Sequence, residues 1–231
     1  MLKHLPNMIT SGNLLCGCLG IIECFSGSLQ TATFYILLAA VFDFFDGFVA
    51  RAVKANSAMG KELDSLADCV SFGALPGFLL YKIMLAATNI PTEMAWLPYF
   101  ALLIPVFSAL RLAKFNIDTR QSDSFIGVPT PADAMLIASF PWLIVEGNFF
   151  SPFLQNIYVL MAVAIVMSYL MVAELPLIAL KFKNFSWASN RYVYLLLGGS
   201  VLLIALFQFS AVPLIMILYV LLSIIKNQTS L

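Results

Sequence analysis

A chain of 231 residues, 61% hydrophobic and only 10% charged, is far too apolar for a soluble domain, in which about a quarter of residues carry charge. The formal net charge is zero, which removes bulk attraction to nucleic acid, and the length allows one compact domain, residues 1–231, rather than several. A mean hydropathy of +0.95 points to an integral membrane protein, and the single histidine, His4, excludes a histidine-rich metal site.

Apolar runs predict eight spanning helices near 8–27, 31–55, 61–86, 94–116, 131–149, 154–180, 190–208 and 211–226, set against the roughly 20 residues that a bilayer core requires. The first is expected to be retained, because Leu15 ahead of Cys16 is too bulky for a lipoprotein-type cleavage site. Cys16, Cys18, Cys24 and Cys69 lie in apolar segments without C-x-x-C spacing and read as small packing residues. The fifth helix is expected to start at Thr130, Pro131 and Asp133, which suit a cap and first turn, and to kink at Pro141. With eight spans, eleven of the twelve Lys and Arg residues share one side: Lys3, Arg51, Lys54, Lys61, Arg111, Lys114, Arg120, Lys181, Lys183, Arg191 and Lys226. Only Lys82 falls on the other side. The expected fold is therefore an all-α polytopic bundle of about eight transmembrane helices with both termini cytoplasmic.

The functional signal lies where the second helix ends and the third begins. Asp43 and Asp46 are three residues apart and Asp64 and Asp68 are four apart, so each pair shares a helical face. One aspartate inside a membrane helix costs about 2.5–3.5 kcal/mol on insertion scales. Four that converge need compensating positive charge, and a hard divalent cation held by carboxylate oxygens supplies it; with no His or Cys chemistry at hand, magnesium or manganese fits better than zinc. Gly47 follows one acidic pair and Gly60 precedes the other, serving either close helix packing or close approach of a ligand. Arg51 neutralises a phosphate, pairs with an aspartate or anchors a helix end. Ser57 is a donor to a ligand or a solvated loop residue. All four carboxylates are expected in the cytoplasmic third of the bilayer, within reach of a cytosolic solute and of a lipid headgroup.

The pattern D-x-x-D-G-x-x-A-R-x8-G-x3-D-x3-D, from Asp43 to Asp68, resembles the signature of the CDP-alcohol phosphotransferase family at every fixed position. The resemblance implies a membrane enzyme that joins two alcohols through a phosphate and releases CMP from a CDP-linked donor, assisted by Mg²⁺ or Mn²⁺ with two ions per site. By position it implies Asp43, Asp46, Asp64 and Asp68 as metal ligands, with Asp68 also the general base. It places Gly47, Ala50, Arg51, Ser57 and Gly60 around the CDP-lipid. Pro6-Asn7-Met8-Ile9-Thr10 resembles the family's N-terminal nucleotide-side element, which adds Asn7 and Thr10.

Ser71-Phe72-Gly73, the run from Arg111 to Asn116 and the run from Phe125 to Ala132 resemble the phosphatidylserine synthase branch, which implies CDP-diacylglycerol and L-serine as substrates. Ala74-Leu75-Pro76 and Lys114 depart slightly from that branch. Arg111 and Lys114 would hold the serine carboxylate and Asn116 or Asp118 its ammonium; equally, basic residues at a helix end anchor it. Glu174 lines the acceptor pocket or bonds a neighbouring helix. A glycerol 3-phosphate or inositol phosphate acceptor would need further cations. A divalent-cation transporter is the rival from another class, but the outer halves of the helices hold little besides Glu23 and Lys82. The matching blocks lie within residues 1–135, which leaves 136–231 as accessory membrane helices. A homodimer is implied by the resemblance, with Gly73-x-x-x-Gly77 as a candidate contact, and the expected location is the plasma (inner) membrane with the active site facing the cytoplasm.

Overall fold

A computed structural model describes residues 4–53, 57–118, 125–147, 149–178 and 186–229. Lys3, Lys54, Arg120, Lys181 and Lys183, on which the expected orientation partly rests, lie outside the described residues. The helices are α1 (Leu5–Ser26), α2 (Leu29–Ala52), α3 (Ala58–Leu85) and α4 (Thr92–Ile117). They continue with α5 (Thr130–Val145), α6 (Ile157–Val172), α7 (Trp187–Phe207) and α8 (Ala211–Thr229). Six are long and apolar enough to cross a membrane, while α5 and α6 are shorter, at 16 residues each. The chain is an integral membrane protein built almost wholly of helix.

Local chemistry sets the boundaries. Ser28 caps α2 by accepting from Gln30 N at 3.2 Å, and Ser57 caps α3 by accepting from Gly60 N at 2.9 Å. Within α3 a π-helical turn, Val70–Ala74, begins two residues after Asp68 and leads into Pro76. Proline lacks the amide hydrogen and its ring crowds the carbonyl four residues back, and the widened turn accommodates both. The first half of α4 is wound as 3₁₀ turns before the α-helix Leu103–Ile117.

Two expected helices are shorter than the hydropathy implied. The fifth ends at Val145 rather than 149. The sixth, expected over 154–180, resolves into a single turn, Ser151–Leu154, and α6, which Asn156 caps by accepting from Tyr158 N at 3.0 Å. It stops at Val172 because Ala173 turns extended and Pro176 favours extended backbone before it. Pro176–Leu177 then pairs antiparallel with Phe125–Ile126. At the start of α5 the cap position is Pro129, without a side-chain hydrogen bond, so Thr130 and Asp133 do not cap it; Pro141 lies inside that helix. Gly127, at φ +76, brings its backbone against the Met171 carbonyl, in a conformation that side-chain-bearing residues rarely adopt and with a closeness that leaves no room for a Cβ.

The main core joins α1 to α6 around Phe72, Leu75, Leu79, Ile104, Ile137 and Phe140, all 2% exposed or less. Gly73 and Gly77 are spent inside this core: a Cβ at Gly73 would lie 2.9 Å from Ser108 Cβ, and one at Gly77 2.5 Å from Pro105 Cδ. This close face of α3 therefore meets α4 of the same chain rather than a second copy. The pair α7–α8 packs outside, on a smaller cluster of Ile178, Val193 and Leu196. Ser223 Oγ accepts from Ile178 N at 3.1 Å and Asn227 Nδ2 donates to Pro176 O at 2.7 Å, tying α8 to the extended segment after α6.

Candidate active site

The last three turns of α2 carry Asp43 and Asp46, and the first three turns of α3 carry Asp64 and Asp68. Helix α1 lies against both and presents Asn7, Thr10 and Asn13, spaced three apart, along one face. Asp43, Asp64 and Asp68 each bring a carboxylate oxygen within 4.8 Å of the other two. Asp46, 6% exposed, stands beside this cluster and accepts from Thr10 Oγ1 at 2.7 Å. No described Lys or Arg forms an ion pair with any of the four, and Asp64 Oδ1 is buried without a hydrogen-bond partner. Converging carboxylates with an orphaned oxygen and no protein cation fit a hard divalent ion.

An open groove of about 510 Å³ runs from the acids along the N-terminal ends of α1 and α3 and the C-terminal end of α2. Asn7, Thr10, Gly47, Ala50, Ser57 and Gly60 line it, with Asp46 and Asp64 at its edge. A Cβ on Gly60 would come within 3.0 Å of Ser57 Oγ and 3.2 Å of Asn7 Oδ1, so glycine there keeps the groove open between α1 and α3. Arg51 is exposed and does not line the groove; its guanidinium lies beside Gly47, 3.7 Å from where a Cβ would stand. Lys61, which sequence reasoning used only as a topological charge, does line the groove and donates from Nζ to Asn116 O at 2.9 Å.

The expected serine ligands separate. Arg111 is 7% exposed, its Nε is buried without a partner, and its guanidinium lies 5.8 Å from the centre of the Phe115 ring. Asp68 is within electrostatic range of it. Lys114 instead pairs with Glu174 at 3.3 Å, which gives Glu174 a neighbouring-helix role. Asn116 Nδ2 donates to Ser65 Oγ at 2.9 Å.

Sequence reasoning missed Asn13 and the role of Ser71. Asn13 is fully buried and donates from Nδ2 to Asp68 Oδ1 at 3.2 Å, and Ser71 Oγ donates to Asn13 Oδ1 at 2.6 Å. The three-residue spacing from Asn7 and Thr10 was the available signal. Asp133 also stands out: it is fully buried and neither carboxylate oxygen has a partner.

Comparison with known proteins adds to this geometry. Residues 3–172 match the family model described as CDP-alcohol phosphatidyltransferase. The CDP-diacylglycerol–serine O-phosphatidyltransferase of Bacillus subtilis (strain 168) is 38% identical over 147 residues, 61% of this chain and 78% of the relative. Its namesake from Helicobacter pylori (strain ATCC 700392 / 26695) is 29% identical over 236 residues, 96% of this chain and 90% of the relative. An archaetidylserine synthase from Methanothermobacter thermautotrophicus is 36% identical over 138 residues, 59% of this chain and 57% of the relative.

Proposed function

The chain belongs to the CDP-alcohol phosphatidyltransferase family, and from that premise we propose that it transfers the phosphatidyl group of CDP-diacylglycerol to the hydroxyl of L-serine, giving phosphatidylserine and CMP. The observation that carries this reading is the meeting of Asp43, Asp64 and Asp68 at the edge of a groove shaped by Asn7, Thr10, Gly47, Ala50, Ser57 and Gly60. The names of the relatives support serine as the acceptor.

Asp43, Asp46, Asp64 and Asp68 would hold Mg²⁺ or Mn²⁺, two ions per site, whose charge offsets that of the diphosphate and of the departing CMP. The groove binds the CDP headgroup, with Gly47 and Gly60 allowing it close to the backbone and Arg51 at its margin, while the lipid tails enter sideways between helices. The serine oxygen forms a bond to the phosphatidyl phosphorus as the bond from that phosphorus to the CMP oxygen breaks, and the hydroxyl proton passes to Asp68. Arg111, desolvated and in no ion pair with a described residue, holds the serine carboxylate. Lys114 reaches serine only by leaving Glu174, and Asn116 only by leaving Ser65, so Arg111 carries most of that contact.

This reading includes about eight spans, both termini and the groove on the cytoplasmic face of the plasma (inner) membrane, and a single domain whose catalytic helices lie within residues 1–135, with 136–231 as accessory membrane helices. A homodimer would use a surface other than Gly73 and Gly77, which are buried against α4. Glycerol 3-phosphate and inositol phosphate are disfavoured as acceptors because each needs more cations than Arg111 offers beside the acids, with Lys61 held by Asn116 O. Transport is disfavoured because the four clustered acids lie at one end of α2 and α3. The test is CMP release by the purified protein from CDP-diacylglycerol with each alcohol in turn, with and without chelator. Release is expected with serine, to stop with EDTA and to return with Mn²⁺ or Mg²⁺. Release with glycerol 3-phosphate but not serine overturns the acceptor, and turnover that survives chelation overturns the role of the acids.

A further inference from the structure

Of Asp43, Asp64 and Asp68, only Asp68 receives a side-chain hydrogen bond from a described residue of α1, as the neighbouring Asp46 does from Thr10. The donor, Asn13, is 0% exposed and sits in an apolar stretch of α1, where an amide without partners would be costly. Its two ends are both used. Nδ2 donates to Asp68 Oδ1 at 3.2 Å, and Oδ1 accepts from Ser71 Oγ at 2.6 Å. Ser71, also 0% exposed, lies 2.7 Å from the Ala67 carbonyl.

Only one orientation of the amide suits these neighbours. A carboxylate oxygen accepts and cannot donate, so the amino group of Asn13 must face Asp68 and its carbonyl must face Ser71. Were the amide turned over, two acceptor oxygens would meet at the Asp68 contact. The Asp68 carboxylate therefore selects the useful orientation, and the Ser71 hydroxyl, which can donate to the Asn13 carbonyl, holds the other end of the amide.

The backbone holds this arrangement in register. Ser71 lies in the π-helical turn that begins at Val70, two residues after Asp68, and such turns recur at functional sites. One turn beyond Asn13 on α1, Gly17 lets the two backbones touch: a Cβ there would lie 3.0 Å from both Ser71 N and Ser71 Cα. Asn13, Gly17 and Ser71 form one contact between α1 and the turn, with Asp68 at its open end.

We propose that Asn13, anchored by Ser71, is a positioning residue for Asp68: it ties Oδ1 and so fixes the carboxylate that receives the acceptor's proton. This rests on the reading of Asp68 as proton acceptor and extends it to two neutral residues. Among the described residues Asp68 Oδ2 takes no hydrogen bond, so one oxygen is held and the other is available. Neither residue touches substrate in this assignment. Their effect passes through the angle and reach of a single carboxylate, and a misplacement of about 1 Å at a reacting centre can cost about 10²-fold in rate.

The experiment is a double-mutant cycle with Asn13→Ala, Ser71→Ala and the combination, together with Asp68→Asn, in the purified full-length protein. Each is assayed for CMP release at saturating Mn²⁺ with varied CDP-diacylglycerol and serine, and for the rise in melting temperature that CDP-diacylglycerol produces. Asn13→Ala is expected to lower kcat about 10- to 100-fold, as loss of residues that orient a functional carboxylate commonly does. KM for CDP-diacylglycerol and the ligand-induced rise in melting temperature should stay at the wild-type level. Ser71→Ala should lower kcat less, and in the Asn13→Ala background it should have no further effect, because its role is exercised through the amide. A wild-type kcat in Asn13→Ala overturns the proposal, as does full additivity of the two changes. Should Asn13→Ala not fold, Ser71→Ala alone decides: a wild-type kcat there removes the relay. Full activity in Asp68→Asn would instead refute the reading of Asp68 and leave the cycle as a separate result. Serine inactive with another alcohol active would refute only the acceptor, and the cycle is then read with that alcohol.

Discussion

Asp68 receives a hydrogen bond from Asn13, whereas Asp43 takes no side-chain hydrogen bond from any described residue, yet both place an oxygen in the same cluster. A carboxylate without protein donors is suited to a bound cation, and one held in place is suited to a timed proton transfer. Asp68→Asn keeps the shape and removes the proton acceptor. It is expected to lower kcat about 10²–10⁴-fold while CDP-diacylglycerol with Mn²⁺ still raises the melting temperature. Asp43→Asn is expected to abolish that Mn²⁺-dependent rise as well, since it removes a ligand and not a base. Equal full activity in both variants would refute the separation of roles. The four acids were legible because charge stands out in an apolar run and because spacings of three and four follow the helical period. Asn13 and Ser71 were not, because neutral side chains carry no such contrast. Their partnership also depends on a π-turn that arises from packing and the ring of Pro76. Lys114 shows the converse limit: its place one turn after Arg111 is visible in the sequence, but its partner, Glu174, is sixty residues away and visible only in the fold.

Helix packing around the site depends on small residues that let backbones approach. Gly77 faces Pro105, a ring that cannot rotate away, so α3 and α4 must separate if a side chain is added. Gly77→Ala is expected to destabilise the protein by about 1–3 kcal/mol, read as a fall in melting temperature in detergent. Gly198→Ala is the matched control: nothing lies within 4 Å of a Cβ there, and alanine is the better helix former, so no loss of stability is expected. Comparable losses in both would show that the α3–α4 contact is not specially tight. The G-x-x-x-G spacing was visible in the sequence, but its partner was not, because the same small-residue face serves contacts within a chain and between chains. The ends of α6 illustrate a similar limit. Asn156 and Pro176 are ordinary helix start and stop signals, but a continuous apolar stretch hides such punctuation, and hydropathy alone merged a turn, a helix and an extended segment into one span.

The number of crossings is decided by α5 and α6. At about 1.5 Å per residue, a 16-residue helix is about 24 Å long, short of a hydrocarbon core of about 30 Å. Their ends nonetheless meet the ends of longer helices. Thr88 N donates to Gln155 O at 3.2 Å and Ile157 N to Asn89 Oδ1 at 2.8 Å, which sets the α5–α6 connection level with the α3–α4 connection. At the opposite end Val128 N donates to Leu170 O, and midway Thr33, near the start of α2, donates to the carbonyl of Ala138 at 2.9 Å. These contacts favour eight crossings over six. The termini cannot discriminate, because removing α5 and α6 together leaves both on the same side. Only the connection between them changes face. An alkaline phosphatase reporter inserted after Gly147 is therefore expected to be active, as one after Ser28 should be, whereas a reporter at the C-terminus should be inactive and a green fluorescent protein there fluorescent. An inactive reporter at Gly147 beside an active one at Ser28 would reduce the bundle to six crossings. It would place α5 and α6 on the cytoplasmic side as a pair, which the contact of Thr33 with Ala138 makes hard to build without unwinding α2.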